Sequence, residues 1–176
     1  MCEIIWYGRG GGGAFTAARL LGIAASLENR YALAFPTFGP ERRGALVLGF
    51  TKLDDNKILD RSEIVSADFA IVLDETLFSN DVIKALKPNG TLLINTKDVS
   101  KYTSIHKKSI GLDATTLALN ILKKPIVNTA FLGAFSAISK EVSLQALQNA
   151  IKKDMRASLV EKNIELLKTS YESINV

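Results

Sequence analysis

Gly8-Arg9-Gly10-Gly11-Gly12-Gly13 follows the apolar run Ile4-Ile5-Trp6-Tyr7 and precedes the small-residue segment Ala14 to Ala25. A glycine run between a strand and a helix turns tightly and lets another group approach the backbone. The first turn of a helix has free N–H groups and a partial positive charge, so the position suits a phosphate or a carboxylate. Gly8, Gly10, Gly11, Gly12 and Gly13 are therefore candidate contacts for an anion. The spacing of Gly8, Gly10 and Gly13 also satisfies the dinucleotide fingerprint, which further requires an acidic residue at the end of the second strand, about 20 residues on. The second apolar run, Tyr31 to Phe35, ends in Pro36-Thr37-Phe38-Gly39 with no carboxylate, and Glu28 precedes that strand. This disfavours NAD and leaves two readings: an anion site, or a tight turn that packs helix against sheet.

The second chemistry-bearing segment is Phe35-Pro36-Thr37-Phe38-Gly39-Pro40-Glu41-Arg42-Arg43-Gly44-Ala45. Its prolines fix φ and present Glu41, Arg42 and Arg43 from a stiff loop. An arginine held there can fork onto a carboxylate or phosphate of a partner or ligand, or the three charges can simply be solvated. Elsewhere the inventory is sparse. Cys2 is the only cysteine and His106 the only histidine, so the chain forms no internal disulfide and lacks the four thiolates an iron–sulfur cluster usually takes. A Cys/His zinc site is excluded on the same count. His106 lies in the basic stretch Ser104 to Lys108 and reads as an exposed loop residue.

A chain of 176 residues with 47% hydrophobic and 23% charged residues can bury one domain's core. Its net charge of +4 is scattered, without the basic stripe and interleaved aromatics of a nucleic-acid surface. The lysines at 101, 107, 108, 123 and 124 read as a solvated face that could also meet an acidic partner subunit. No apolar run is long enough for a membrane span and no secretory leader is present, so the expected location is the cytoplasm.

Short β-prone runs alternate with helical patterns, which predicts an α/β protein with a largely parallel sheet. Strands are expected over Glu3 to Tyr7, Tyr31 to Phe35, Ala45 to Lys52, Phe69 to Leu73 and Thr91 to Asn95. Between the last two, a helix over Asn80 to Leu86 and a turn at Pro88-Asn89-Gly90 are expected. Helices then dominate: Ala114 to Leu122, a buried helix Thr129 to Ile138 capped by Asn128, and amphipathic helices near Ser143 to Met155 and Ala157 to Tyr171. The whole reads as a single domain, 1–176, with a Rossmann-like three-layer fold and C-terminal helices.

Taken together, the glycine loop and Phe38-Gly39-Pro40-Glu41-Arg42-Arg43-Gly44-Ala45 resemble the gamma subunit, or gamma domain, of the 2-oxoacid:ferredoxin oxidoreductases, most closely the pyruvate and ketoisovalerate type. The resemblance extends through Ala67-Asp68, the strand ending in Leu73-Asp74, Lys87 to Gly90, Asp113-Ala114-Thr115, Asn128, Leu132-Gly133, Glu161, Asn163 and Tyr171. The pair Arg42-Arg43 distinguishes this type from the 2-oxoglutarate type, which tends to carry a hydrophobic residue before a single arginine. One departure is Gly12, which stands where the family pattern has a glutamine, so contacts of this loop must come from backbone N–H groups.

The resemblance implies an accessory subunit, inactive alone. Its enzyme oxidises a 2-oxoacid with coenzyme A to acyl-CoA and carbon dioxide and passes electrons to ferredoxin or flavodoxin. Thiamine diphosphate and iron–sulfur clusters would be held by alpha, beta and ferredoxin-like delta subunits. The glycine loop would face coenzyme A or a neighbouring subunit, Glu41, Arg42 and Arg43 would serve the interface, and the isolated chain could form a homodimer. Two other readings are a free-standing nucleotide- or CoA-binding module and a purely structural subunit.

Overall fold

Ile4 and Trp6 face one side of strand β1 (Cys2–Arg9), Ile5 and Tyr7 face the other, and all four are buried. A strand covered on both faces is apolar throughout, which is why the run does not alternate. The computed structural model describes residues 1–37 and 44–174. It places β1 inside a six-stranded sheet of order β2-β3-β1-β4-β5-β6. The other strands are β2 (Tyr31–Pro36), β3 (Leu46–Asp54), β4 (Ala67–Val72), β5 (Leu86–Asn95) and β6 (Ser109–Leu112). β1 pairs in parallel with β4, β4 with β5, and β5 with β6, whereas β3 runs against both β1 and β2. The sheet is therefore mostly parallel, as expected, with β3 as its reversed strand.

The helices are α1 (Ala14–Leu27), α2 (Asn80–Lys84), α3 (Ser100–Thr103), α4 (Ala114–Leu122), α5 (Asn128–Ser139), α6 (Leu144–Asp154) and α7 (Ala157–Glu172). α1 and α4 to α7 build the larger core with Trp6, Leu53, Ile71 and Leu93. A thinner layer over the opposite face, with Ile64, Val82 and Tyr102, covers Ile5, Phe50, Val72 and Ile94. Each fully buried leucine or isoleucine contributes about 1.5–3 kcal/mol, so these two layers supply the main drive to fold. α1 sits close to the sheet because its partners are small: a Cβ on Gly49 would lie 3.1 Å from Ala14 O and 3.3 Å from Ala18 Cβ. Across that contact Trp6 Nε1 donates to Thr51 Oγ1 at 3.1 Å, and the Thr51 hydroxyl donates to Ala18 O at 3.2 Å.

Several elements differ from the sequence expectation. β1 continues through Gly8 and Arg9 because both pair with β3. Pro88-Asn89-Gly90 is not a free turn but part of β5, set beside a register shift between Ala67 and Phe69 of β4. α2 ends at Lys84, short of Leu86, which has joined β5. Val127 occupies the cap position of α5, and Asn128 is the first helical residue, although its Oδ1 still accepts the Thr129 N–H at 2.9 Å. His106 is half-buried rather than exposed, with Nε2 2.8 Å from Gly90 O.

Two polar groups are unusually enclosed. Lys52 is 1% exposed in the middle of β3, and its Nζ donates to Asp60 Oδ2 at 2.6 Å, which pins the irregular segment 55–66 over the thinner layer. Cys2 is buried, and the loss of water around it pushes its thiol up to about 12, so it stays protonated near neutrality. No helix among the described residues is long and apolar enough to cross a membrane.

Candidate functional site

From β1 the chain turns through α1 to β2 on one side, and from β4 it proceeds through α2 to β5 on the other. Where neighbouring parallel strands send their connections in opposite directions, their carboxyl ends leave a crevice. Here that crevice is a cleft of about 640 Å³ lined by Arg9 and Gly12, by Leu73 to Thr76 after β4, by Asn95 to Asp98 after β5, and by Asp113 and Thr115 at the start of α4. Val127, immediately before α5, closes one side.

The glycine loop forms the wall of this cleft nearest α1. Its five glycines do different things. Gly8 belongs to β1, where a Cβ would come 2.8 Å from Ala14 Cβ, so its smallness serves packing. Gly10 N–H donates to Ala45 O at 2.8 Å and Gly12 N–H to Arg9 O at 2.7 Å, so neither is open to a ligand. Gly11 and Gly13 hold the positive φ values, 86° and 84°, which glycine adopts without strain. Gly13 is the N-cap of α1 and brings no side chain to it, and the first turn has no acidic residue. The first helical bond runs from Ala17 N–H to Gly13 O, so the N–H groups ahead of it have no helical acceptor. The expected helix N-terminus is thus present, with its donors at Gly13 and the first turn of α1 rather than at Gly10 and Gly12.

The Arg9 side chain ties this loop to the segment after β4. Its Nε donates to Asp74 Oδ2 at 2.6 Å, one Nη to Thr76 Oγ1 at 2.6 Å, and the other Nη to Gly44 O at 2.9 Å. Asp74 Oδ1 in turn accepts the Thr76 N–H at 2.9 Å. Burial pushes the Asp74 carboxyl up, but its bonds to Thr76 and the Arg9 guanidinium outweigh burial and hold it below the usual carboxylate range. Glu75 is held low chiefly by Lys101, then by the Tyr102 hydroxyl at 2.7 Å. Burial, with Glu75 beside it, pushes Tyr102 up. Asp113 caps α4 by accepting the Thr116 N–H at 3.0 Å. Asn95 Nδ2 reaches Leu73 O and Thr115 Oγ1, both at 2.9 Å, and ties β5 to β4 and α4.

These carboxylates are therefore ionised and engaged, which suits them to shaping a binding surface rather than to general acid work. Lys101, read from sequence as solvated, is spent on Glu75. No group of three or more His, Cys, Asp or Glu residues that could hold a metal occurs among the described residues. Glu28 accepts the Ser143 N–H at 3.3 Å and is remote from any ribose-binding role. Glu41, Arg42 and Arg43 lie outside the described residues. Sequence reasoning found the glycine loop but missed Arg9 as its anchor, because Asp74 is 65 positions away and only the parallel pairing of β1 with β4 brings them together.

The sign of the Asp74 shift gives a pH prediction. A carboxyl whose folded pKa is depressed contributes stability that is complete above its unfolded value and is lost as pH falls through the folded one. Amide exchange at Thr76 and Gly10 is expected to stay slow near neutrality and to accelerate below about pH 4. Exchange rates with no upward break in that range, after correction for intrinsic chemistry, would show that the Asp74 bonds to Arg9 and Thr76 do not hold these amides.

The same architecture occurs in solved structures. The pyruvate oxidoreductase subunit PORC of Thermotoga maritima superposes with a TM-score of 0.84 at 33% identity, covering 97% of this chain and 95% of that one. Among curated proteins, pyruvate synthase subunit PorC of Methanocaldococcus jannaschii is 42% identical over 99% of this chain and 97% of its own length. The pyruvate/ketoisovalerate oxidoreductases common subunit gamma of Pyrococcus furiosus is 41% identical over 100% of this chain and 98% of its own. The family model for pyruvate ferredoxin/flavodoxin oxidoreductase matches residues 3–173, and so the chain belongs to that family.

Proposed function

We propose that this chain is the gamma subunit of a multi-subunit 2-oxoacid:ferredoxin or flavodoxin oxidoreductase whose substrate is pyruvate. The observation that carries this reading is identity of 41–42% along the whole chain with proteins named as PorC and gamma subunits. Such an enzyme converts pyruvate and coenzyme A to acetyl-CoA and carbon dioxide. Thiamine diphosphate stabilises the carbanion and iron–sulfur clusters carry the electrons. A cluster takes about four thiolates and this chain has one cysteine, which is buried, so we assign the clusters and thiamine diphosphate to alpha, beta and delta partners in the cytoplasm.

The chain's own contribution is binding and positioning. The donors at the start of α1 offer a place for a coenzyme A phosphate, and the cleft beside them gives the rest of that molecule room. Glu41, Arg42 and Arg43 are assigned to contacts with partner subunits or to coenzyme A access.

The test combines assembly and activity. The purified chain alone, given pyruvate, coenzyme A, thiamine diphosphate and a dye acceptor, is expected to show no turnover, whereas the co-expressed complex turns over. Exchanging both Arg42 and Arg43 for alanine should leave the melting temperature of the isolated chain unchanged and weaken assembly or raise the coenzyme A requirement. The cost is roughly 2–5 kcal/mol if a partner carboxylate or phosphate is left desolvated and unpaired. Turnover by the chain alone would refute the accessory role, and an unfolded double variant would make the arginines structural.

A further inference from the structure

Asn128 is 5% exposed, and one end of its carboxamide is committed. Oδ1 accepts the Thr129 N–H at 2.9 Å. The Thr129 hydroxyl donates to Asn163 Oδ1 at 2.8 Å, and Asn163 Nδ2 donates to Leu159 O at 2.8 Å, so the network fixes which end of each amide is oxygen. The Asn128 Nδ2 group must then face away from α5, and there it meets the N-cap of α1: a Cβ on Gly13 would lie 2.7 Å from it. Among the described residues Nδ2 has no acceptor, yet no fully enclosed side-chain polar atom lacks a partner, so Nδ2 reaches the surface. A nearly buried donor left open is costly unless something outside accepts from it.

In the same place, the N–H groups ahead of Ala17 at the start of α1 have no acceptor among the described residues. Two independent sets of donors, from α1 and from α5, thus converge beside Gly13 with no acceptor for them among the described residues. We propose that Asn128 is a ligand-binding residue whose Nδ2–H joins the first-turn N–H groups of α1 in holding one phosphate group of a phosphorylated ligand. A phosphate takes donors from several directions at once through its oxygens, whereas a carboxylate accepts in one plane. Gly12 supplies no side chain to the loop, and the Arg9 guanidinium is turned to Asp74, Thr76 and Gly44. Among the described residues, Asn128 is therefore a side-chain donor next to Gly13. This rests on the reading that the glycine loop binds coenzyme A, and adds a residue from a different element.

The test uses the labelled full chain and follows the Asn128 side-chain NH₂ resonances with the Gly13 and Ala14 amides. The probes are coenzyme A and, separately, inorganic phosphate. All these resonances are expected to move together with one dissociation constant, and phosphate should compete with coenzyme A for them. Asn128→Asp keeps the oxygen that Thr129 needs but turns a carboxylate toward the phosphate, so coenzyme A affinity should fall about tenfold or more at an unchanged melting temperature. If the loop amides respond in that variant with wild-type affinity, Asn128 takes no part and the loop reading stands. If coenzyme A moves the loop but phosphate neither reproduces nor displaces it, the group held is not a phosphate and the inference fails. If no loop amide of the wild-type chain responds to either probe, the inference and the loop reading fall together.

Discussion

Replacing Gly133 by alanine is expected to destabilise the chain by about 2 kcal/mol, even though alanine gains about 1 kcal/mol over glycine inside a helix. Gly133 is buried in α5 where α7 crosses it, and a Cβ there would strike the Leu167 carbonyl oxygen and lie 2.5 Å from Ser170 Oγ. Neither obstacle can swing aside. The Leu167 oxygen is backbone, and the Ser170 hydroxyl donates to Leu166 O at 2.7 Å and to Leu167 O at 3.1 Å. The whole of α7 would have to move, which would loosen Leu166 and Leu167 in the larger core. The melting temperature should drop by about 4–8 °C, and Gly133→Val by more. An unchanged or raised melting temperature for the alanine variant would mean that α5 and α7 do not cross so closely.

The second large effect is expected at Gly13. A side chain there meets two separate costs, the left-handed backbone at φ 84° and the collision with Asn128 Nδ2. The backbone alone costs about 1–2 kcal/mol, and together with the displaced Asn128 the total for Gly13→Ala should reach about 2–4 kcal/mol. Gly11 provides the control. It has φ 86° but nothing among the described residues within 4 Å of its would-be Cβ, so Gly11→Ala should cost only the backbone share. Chemical denaturation of both variants measures the difference. Equal losses would show that Gly13 is kept for its backbone conformation alone, without a crowded neighbour.

Much of the fold was legible because local signals and tertiary demands coincide. The run Ile4 to Tyr7 is apolar because it is covered twice, and α1 is rich in alanine because it lies against Gly49, Ala32 and Ala34. The failures occur where a contact outside the segment overrides local chemistry. Pro88, Asn89 and Gly90 carry turn signals, yet Gly90 is pressed against Ala67, where a Cβ would stand 2.9 Å from the carbonyl oxygen, and the strand persists through them. Ser109 to Leu112 is too short, and too mixed with serine and glycine, to announce the strand that pairs with β5. At the candidate site the glycines were visible as a pattern, but their division of labour was not. Which of them has a free N–H depends on Ala45 and Arg9, and which of them is crowded depends on Asn128.

The reversal of β3 carries an implication for how this subunit could diversify. Because β3 runs against β2, the residues joining them leave and re-enter the sheet at the same end as the glycine loop. Thr37 N–H donates to Leu48 O at 2.9 Å on one side, and Gly44 accepts from Arg9 on the other. Both footings are secured independently of what lies between. A parallel β3 would have required a crossover helix there, and every change of length would have disturbed the packing of a layer. The antiparallel return joins β2 to β3 by a loop rather than a crossover. A change in its length or charge therefore needs no new crossover and leaves the pairing of β2 with β3 as it is.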